Sequence, residues 1–406
     1  MTAPAALAPL DQAVRRRRAS LFALILVVGL GLASWVTRTP AIRDAVDAST
    51  AQMGLILFGL SIGSMIGVLS SGPLVARFGA RPIALTGTVL VISGVAVAGT
   101  STAVPAALGV FAGLLLFGLG GGLGEIALNV DAADIERITG RIVLPYLHGC
   151  FSLGTVIGAL AGIGMTAIDF PVIWHLLIVA AVLVGLLVWG APGLTAGIGR
   201  TDHDPAAAAQ RAARKGPSVW RDPLVLAIGV VVLAMAFAEG SANDWLPLLM
   251  VDGHGMSEAL SSFVFAAFAA MMTVGRFVGG IVVDRFGRGL VLRVSAVLAI
   301  VGILVVSFAP NLVLACSAVV LWGLGASLGF PVAISAAGDS DDRPAERVSA
   351  VATSGYLAFL VGPPLLGFIG EHIGLQRAML VVVGILIVGA IATLAIKPAA
   401  KVDDGE

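Results

Sequence analysis

The stretch GIVVDRFGRG at residues 280–289 has a counterpart, GPLVARFGAR, at residues 72–81. The two stretches start 208 residues apart, and each separates two long apolar segments. A second pair has a similar offset, because GLGGGLG at 118–124 is echoed by GLGASLG at 323–329. A repeat of this kind indicates two similar units built on one plan. The sequence therefore predicts two pseudo-symmetric halves.

The composition places both halves in a membrane. Of the 406 residues, 58% are hydrophobic and 12% are charged, whereas soluble proteins carry about 25% charged residues. Apolar runs of about 20 residues cross a bilayer as helices. We predict an all-α polytopic membrane protein with 12 transmembrane helices in two six-helix bundles. The predicted spans are roughly 19–37, 50–75, 82–101, 105–130, 145–167, 171–191, 223–248, 260–283, 289–309, 311–337, 347–370 and 374–396.

One long polar connection separates the two predicted bundles. It runs from Pro192 to Asp222 and contains the Ala-rich, charged stretch TDHDPAAAAQRAARKGPS. The predicted organisation is a tail at 1–18, a six-helix bundle at 19–191, a linker at 192–222, a second bundle at 223–396 and a tail at 397–406.

The basic residues predict the orientation of the spans. Segments on the side of the N-terminus hold 20 of the 24 Lys and Arg residues, whereas the opposite loops hold Arg38, Arg43 and Arg377. Loops rich in Lys and Arg stay in the cytoplasm, so both termini are expected to be cytoplasmic. Arg outnumbers Lys, as is typical of GC-rich bacterial genomes, and the expected location is a bacterial inner membrane.

The loop between predicted spans eight and nine carries a specific motif, G-x-x-x-D-R-x-G-R. Its residues are Gly280, Asp284, Arg285, Gly287 and Arg288, and the first-half copy keeps Gly72, Arg77, Gly79 and Arg81. The first copy has Ala76 in place of the Asp and Ala80 in place of a basic residue. This pattern resembles the inner-loop signature of the major facilitator superfamily, and the resemblance covers the whole chain. It implies that these residues form an inner gate; plain anchoring by Arg is the alternative.

The stretch Glu125-Ile-Ala-Leu-Asn129 is similar to the E-x-A-x-N of the fucose and glucose proton symporters, although Val130 stands where that group has Pro. Residues 144–160 also resemble the fifth span of that group. The acid that fucose symporters carry in span one is absent, since no Asp or Glu lies between Asp11 and Asp44. Bacterial members without an assigned substrate share the overall pattern too.

Glu125 is the most informative single residue, because an ionisable group within a span is costly unless it faces water or a partner. Gly118, Gly122, Glu125 and Asn129 share one helical stripe, which suits close helix packing or a cavity wall. The family resemblance implies that spans one, four, seven and ten line a central cavity and that Glu125 faces it. A buried, protonated Glu125 bonded to a neighbouring helix is the alternative.

Polar residues in the other spans extend this candidate site. Glu239 and Asn243 share a face of span seven, and His148 in span five is expected near Glu125. We predict that Glu125 and Glu239 carry proton coupling. The predicted substrate contacts are Asn129, His148, Asn243, Trp245, Ser34 and Ser327, and the predicted outer gate pairs Arg38 with Asp244 or Glu239. Alternatives are an interfacial His148, a solvated Arg38, and an Arg276 that either pairs within the second half or snorkels.

These features predict a secondary active transporter that moves a small polar solute by alternating access, with proton-coupled symport favoured. The alternatives are a proton-coupled efflux antiporter of drugs or metabolites and a non-transporting sensor or scaffold. An enzyme is not expected, since the five histidines lack metal-ligand spacing, and no phosphate-binding G-x-x-x-x-G-K-[ST] motif occurs. The expected partners are the solute, protons and lipid, with no cofactor, metal or nucleic acid, and the expected state is a monomer.

Overall fold

The computed structural model describes residues 11–104, 106–141, 143–200, 219–338 and 343–396. Within these ranges the chain is helical, without strands, and 12 helices are long and apolar enough to cross a membrane. The first half holds α1 (Gln12–Val36), the short α2 (Thr39–Ala45), α3 (Thr50–Phe78), α4 (Ala80–Ser101), α5 (Ala107–Thr139), α6 (Leu144–Ala167) and α7 (Val172–Gly190). The second half holds α8 (Pro223–His254), α9 (Glu258–Phe286), α10 (Arg288–Phe308), α11 (Leu312–Gly338), α12 (Pro344–Ile373) and α13 (Leu375–Ala392).

The predicted fold class is confirmed: the long helices form two six-helix bundles. Successive long helices reverse direction, so α1 begins and α13 ends on one side of the molecule, which we call the termini side. The opposite side, where α3 begins and α12 ends, is the far side. The short α2, which the sequence did not predict, lies on the far side. The C-terminal tail and most of the predicted linker lie outside the described residues.

The repeated motif makes the same turn in both halves. Gly79 lies between α3 and α4 with φ of 89°, and Gly287 lies between α9 and α10 with φ of 75°. Both angles fall in a region that side chains rarely adopt. Glycine therefore lets one helix end and the next begin within a single residue at both positions.

Glycine stripes bring the helices of each half into backbone contact. An ideal Cβ on Gly63 of α3 would lie 2.1 Å from the carbonyl oxygen of Leu115 on α5. Gly118 and Gly122 of α5 meet α3 in the same way, at Leu60 and Ser64. Small residues permit this approach between membrane helices. For these two glycines the structure therefore selects helix packing over a cavity wall.

Candidate functional site

The two halves meet backbone to backbone where α3 and α12 reach the far side. An ideal Cβ on Gly54 would lie 2.7 Å from the carbonyl oxygen of Pro363, and one on Gly367 would lie 2.8 Å from Cα of Gly54. One turn further out, the backbone N–H of Ala51 donates to Oε2 of Glu371 at 3.0 Å. No side chain larger than hydrogen fits between α3 and α12 at Gly54.

Two further contacts join the halves on this side. The hydroxyl of Ser262 on α9 donates to the carbonyl oxygen of Thr37 at 2.9 Å. Arg43 of α2 forms an ion pair with Asp252 of α8. We call this set of contacts the far-side seal; its members are Thr37, Arg43, Ala51 and Gly54 from the first half and Asp252, Ser262, Pro363, Gly367 and Glu371 from the second.

On the termini side, the described ion pairs stay within one half. Arg17 of α1 binds Asp131 of α5 through Nε at 2.6 Å and Asp134 through Nη2 at 2.8 Å. In the second half, Nη2 of Arg347 binds Oδ2 of Asp222 at 2.6 Å. These pairs fix α1 to α5 and α8 to α12.

Two motif glycines on this side have open space around them. An ideal Cβ on Gly72 or on Gly280 would meet nothing within 4 Å. Asp284 is exposed and forms no ion pair with any residue in the described ranges. Arg77 is also exposed, and its guanidinium lies over the ring of Phe78. The predicted gate residues Arg81, Arg285 and Arg288 lie at the same helix ends.

Polar side chains with accessible surface lie within the helices of both halves. Glu125 of α5 is exposed, and it is within electrostatic range of Tyr356 on α12. It therefore lies on the side of α5 that faces the second half. Glu125 forms no hydrogen bond or ion pair with any described residue. We define the central cleft by Glu125, Asn129, His148, Glu239, Arg276 and Tyr356.

An ion pair lies on the second-half wall of the central cleft. Nη2 of Arg276 on α9 is 3.0 Å from Oε1 of Glu239 on α8, and the two side chains are 40% and 18% exposed. His148 of α6 is exposed and within electrostatic range of Arg276. Of the two alternatives for Arg276, the structure shows pairing within the second half. The sequence signal was a pair of opposite charges in consecutive predicted spans.

Other predicted pairings are not formed in this conformation. His148 makes no hydrogen bond to Glu125. Arg38 does not bind Asp244 or Glu239: its Nη1 donates to Oγ1 of Thr166 at 2.9 Å and its Nη2 to the carbonyl oxygen of Phe170 at 2.6 Å.

The cause is that Arg38 folds back onto the end of α6 in its own half. Burial there lowers the pKa of Arg38, against the attraction of Glu258 and Asp169. Asp244 forms no hydrogen bond or ion pair with the described residues.

Three predicted solute contacts are packed away from the central cleft. Ser34, Trp245 and Ser327 are fully buried. Ser34 lies against Gly158 of α6, Trp245 against Gly367 in the far-side seal, and Ser327 against Gly275 of α9. Helical spacing alone did not reveal that close helix crossings cover these faces.

Two predicted solute contacts, Asn129 and Asn243, are partly exposed. Oδ1 of Asn129 is buried and has no hydrogen-bond partner among the described residues, so it is an unused acceptor about one turn from Glu125. In the described part of the chain, no three His, Cys, Asp or Glu side chains are grouped as they would be to hold a metal ion.

Comparisons with known proteins agree with this architecture. The family model described as Major Facilitator Superfamily matches residues 19–345 and 245–405. An uncharacterised MFS-type transporter of Yersinia pestis is 30% identical over 354 residues, which cover 87% of this chain and 88% of the relative. A chloramphenicol resistance protein of Pseudomonas aeruginosa is 26% identical over 374 residues, 86% of this chain and 81% of that protein.

Among solved structures, a D-xylose–proton symporter superposes with a TM-score of 0.75 at 14% identity, covering 96% of this chain and 99% of that one. A likeness at this identity concerns the fold. The family model matches nearly the whole chain, the long helices form two six-helix bundles, and the loop motif is repeated in both halves. This chain therefore belongs to the Major Facilitator Superfamily and is a multi-pass membrane transporter.

Proposed function

We propose that the protein is a proton-coupled symporter that moves a small polar solute by alternating access between its two halves. The observation that carries this proposal is the central cleft, where titratable groups of both halves face each other: Glu125 and His148 from the first, Glu239 and Arg276 from the second. Ionisable residues at membrane depth are costly, and they mark ion and substrate pathways.

Glu125 and Glu239 are the proposed proton carriers. Glu125 forms no ion pair with any described residue, and an ionisable group within a membrane span marks an ion or substrate pathway. Glu239 is paired with Arg276, with Nη2 of Arg276 3.0 Å from Oε1 of Glu239. One site thus accepts a proton readily, and the other accepts one when its partner is withdrawn. Asn129, His148 and Asn243 are the proposed solute contacts.

The excess of basic residues supports a cytoplasmic location for the termini side. The far-side seal is then the outer gate, Arg38 and Asp244 lie near it, and the conformation described here opens to the cytoplasm of a bacterial cell. In the opposite conformation, Asp284 would meet basic residues of the loop motifs and close the termini side.

Efflux is the second candidate, because the similar Pseudomonas protein is named for chloramphenicol resistance. An efflux antiporter would use the same carboxylates, with protons and solute moving in opposite directions. The direction of proton movement separates the two functions.

The test uses proteoliposomes that contain a pH-sensitive dye. Sugars, amino acids, carboxylates and amphipathic drugs are added outside to wild type, to Glu125→Gln and to a surface control, Glu346→Gln. We expect one solute class to acidify the lumen with wild type and with the control but not with Glu125→Gln. Alkalinisation would indicate antiport, and no pH change with any solute would contradict proton coupling.

A further inference from the structure

We propose that Arg276 binds a carboxylate group of the solute in exchange for Glu239, so that the transported solute is an organic anion. This inference rests on the proposed function and specifies its substrate class. It follows from the donors that the Glu239–Arg276 pair leaves unused, from the place of the pair in the central cleft and from its charge balance.

The Arg276 guanidinium is only partly used. A guanidinium has five N–H donors in a planar fork that matches both oxygens of a carboxylate. In this structure the ion pair joins Nη2 to Oε1 of Glu239 alone, and the remaining donors of Arg276 make no hydrogen bond with the described residues. The Arg276 side chain is 40% exposed. An open edge of the fork is thus accessible.

Charge balance favours exchange over simple addition. A solute carboxylate that binds Arg276 in a bidentate manner displaces Glu239, which is left as a lone anion. An unpaired charge at this depth is costly, so Glu239 takes up a proton as the pair separates. One negative charge and one proton enter the site together, and the net charge of the cleft is unchanged. A neutral solute would leave the pair intact.

The surrounding groups do not supply a competing cation. The other titratable groups at this depth are His148 on α6, Glu125 on α5 and Tyr356 on α12. Glu125 repels a solute anion until Glu125 itself is protonated. This repulsion makes anion binding depend more strongly on pH. Arg276 is the single Arg or Lys of the described central cleft.

The first experiment measures thermal unfolding of the purified protein with acids and their matched amides: lactate and lactamide, benzoate and benzamide, 4-hydroxybenzoate and 4-hydroxybenzamide. Three variants are compared: Glu239→Gln, the double variant Glu239→Gln/Arg276→Gln, and Arg377→Gln as an exposed arginine control. The double variant removes Arg276 without leaving an unpaired carboxylate, so a loss of binding does not reflect misfolding.

We expect at least one acid, and not its amide, to raise the Tm of wild type and of Arg377→Gln. Glu239→Gln should bind that acid more tightly and with less dependence on pH, because the competing carboxylate is neutralised. The double variant should bind it at least about tenfold more weakly than Glu239→Gln. In proteoliposomes, uptake of a monoanion should follow the pH gradient and be unaffected by an imposed membrane potential.

The inference is overturned if no acid of the panel binds, if an amide binds as well as its acid, or if the double variant keeps the acid binding of Glu239→Gln. Protons that move with a neutral solute, and with no acid, would overturn this inference and leave the proposed symport standing. If no solute, charged or neutral, drives proton movement, the proposed proton-coupled symport is itself ruled out.

Discussion

The two ends of the molecule hold their helices together in different ways. On the termini side, the Arg17–Asp131 pair is 2.6 Å long, its side chains are 7% and 2% exposed, and it joins two helices of the same half. On the far side, the halves are joined by glycine contacts at Gly54 and by the partly exposed pair of Arg43 with Asp252. Breaking a buried ion pair costs about 3–5 kcal/mol, and an exposed one at most about 1 kcal/mol.

This difference indicates which helix contacts separate when the protein changes conformation. The costly contacts make each half rigid, whereas the contacts between the halves are a steric fit and polar contacts of low cost. Such an arrangement suits two rigid bodies that rock against each other. The following predictions test this division, beginning with the largest expected effect.

Arg17→Met should lower the stability of the protein most, by about 3–5 kcal/mol, because it leaves the buried Asp131 without its partner. Thermal or denaturant unfolding of the detergent-solubilised protein measures the loss. The control is Arg15→Met, which changes an exposed arginine two residues away. A loss below about 1 kcal/mol would show that the Arg17 cluster does not hold the half together.

Gly54→Val should open the far side while leaving each half folded. Its Cβ would collide with the Pro363 carbonyl, and overpacking of this kind costs about 1–3 kcal/mol. The ratio of closed to open molecules should fall roughly 5- to 150-fold. Cross-linking between cysteines at Ala51 and Glu371, in a chain with Cys150 and Cys316 replaced by Ser, measures the closed population.

Gly384→Ala is the matched control for Gly54→Val, because a Cβ there meets nothing within 4 Å. Cross-linking should be unchanged in this variant. Equal cross-linking in Gly54→Val and Gly384→Ala would refute the steric account of the far-side seal.

Arg43→Gln should shift the same cross-linking by a smaller amount, at most about fivefold, because its pair with Asp252 is partly exposed. The exchanged pair, Arg43→Asp with Asp252→Arg, should restore much of the cross-linking. An effect as large as that of Gly54→Val would mean that charge, and not steric fit, closes the far side.

Asp222→Asn should have the smallest effect, which is a small loss in the free energy of unfolding. Hydrogen bonds from the N–H of Leu224, together with the charge of Arg347, lower the pKa of Asp222 in the folded state. A lowered pKa stabilises the fold above the unfolded carboxyl value of about 3.9, and this stability is lost as the pH falls through the folded value. Asn keeps the helix cap.

The Asp222→Asn variant should therefore be less stable than wild type by at most about 1 kcal/mol at neutral pH. The difference between the two proteins should shrink as the pH falls below the unfolded carboxyl value of about 3.9 and through the lowered folded value. Unfolding midpoints at several pH values check this. A difference that persists at the lowest pH would assign the effect to packing.

The fold was predictable because its signals are local. Span length follows from apolar runs, and the tight turns at Gly79 and Gly287 follow from a motif repeated in both halves. The cavity-facing position of Glu125 was implied by family resemblance and stays a prediction. The site was less predictable, because it depends on how helices rotate and cross.

Three residues show this limit. The partner of Glu239 is Arg276 in the next helix, which depends on the rotation of α8 against α9. Ser327 was expected to contact the solute, but the crossing at Gly275 buries it. Arg38 was expected to reach across the halves, and the unpredicted turn into α2 directs it to Thr166 instead. None of these relations is contained in the spacing of a single helix.

The central claim is that the far-side seal and the opening on the termini side exchange as one motion. The most direct measurement is the distance between spin labels on α3 and α12, taken at both ends of these helices. One pair of labels is at Gln52 and His372 on the far side, and the other is at Phe78 and Ser349 on the termini side. Both pairs are introduced in the chain without native cysteines. Our account predicts that Gly54→Val lengthens the Gln52–His372 distance and shortens the Phe78–Ser349 distance. If only one distance changes, or if both lengthen, the two ends do not alternate and the account is contradicted.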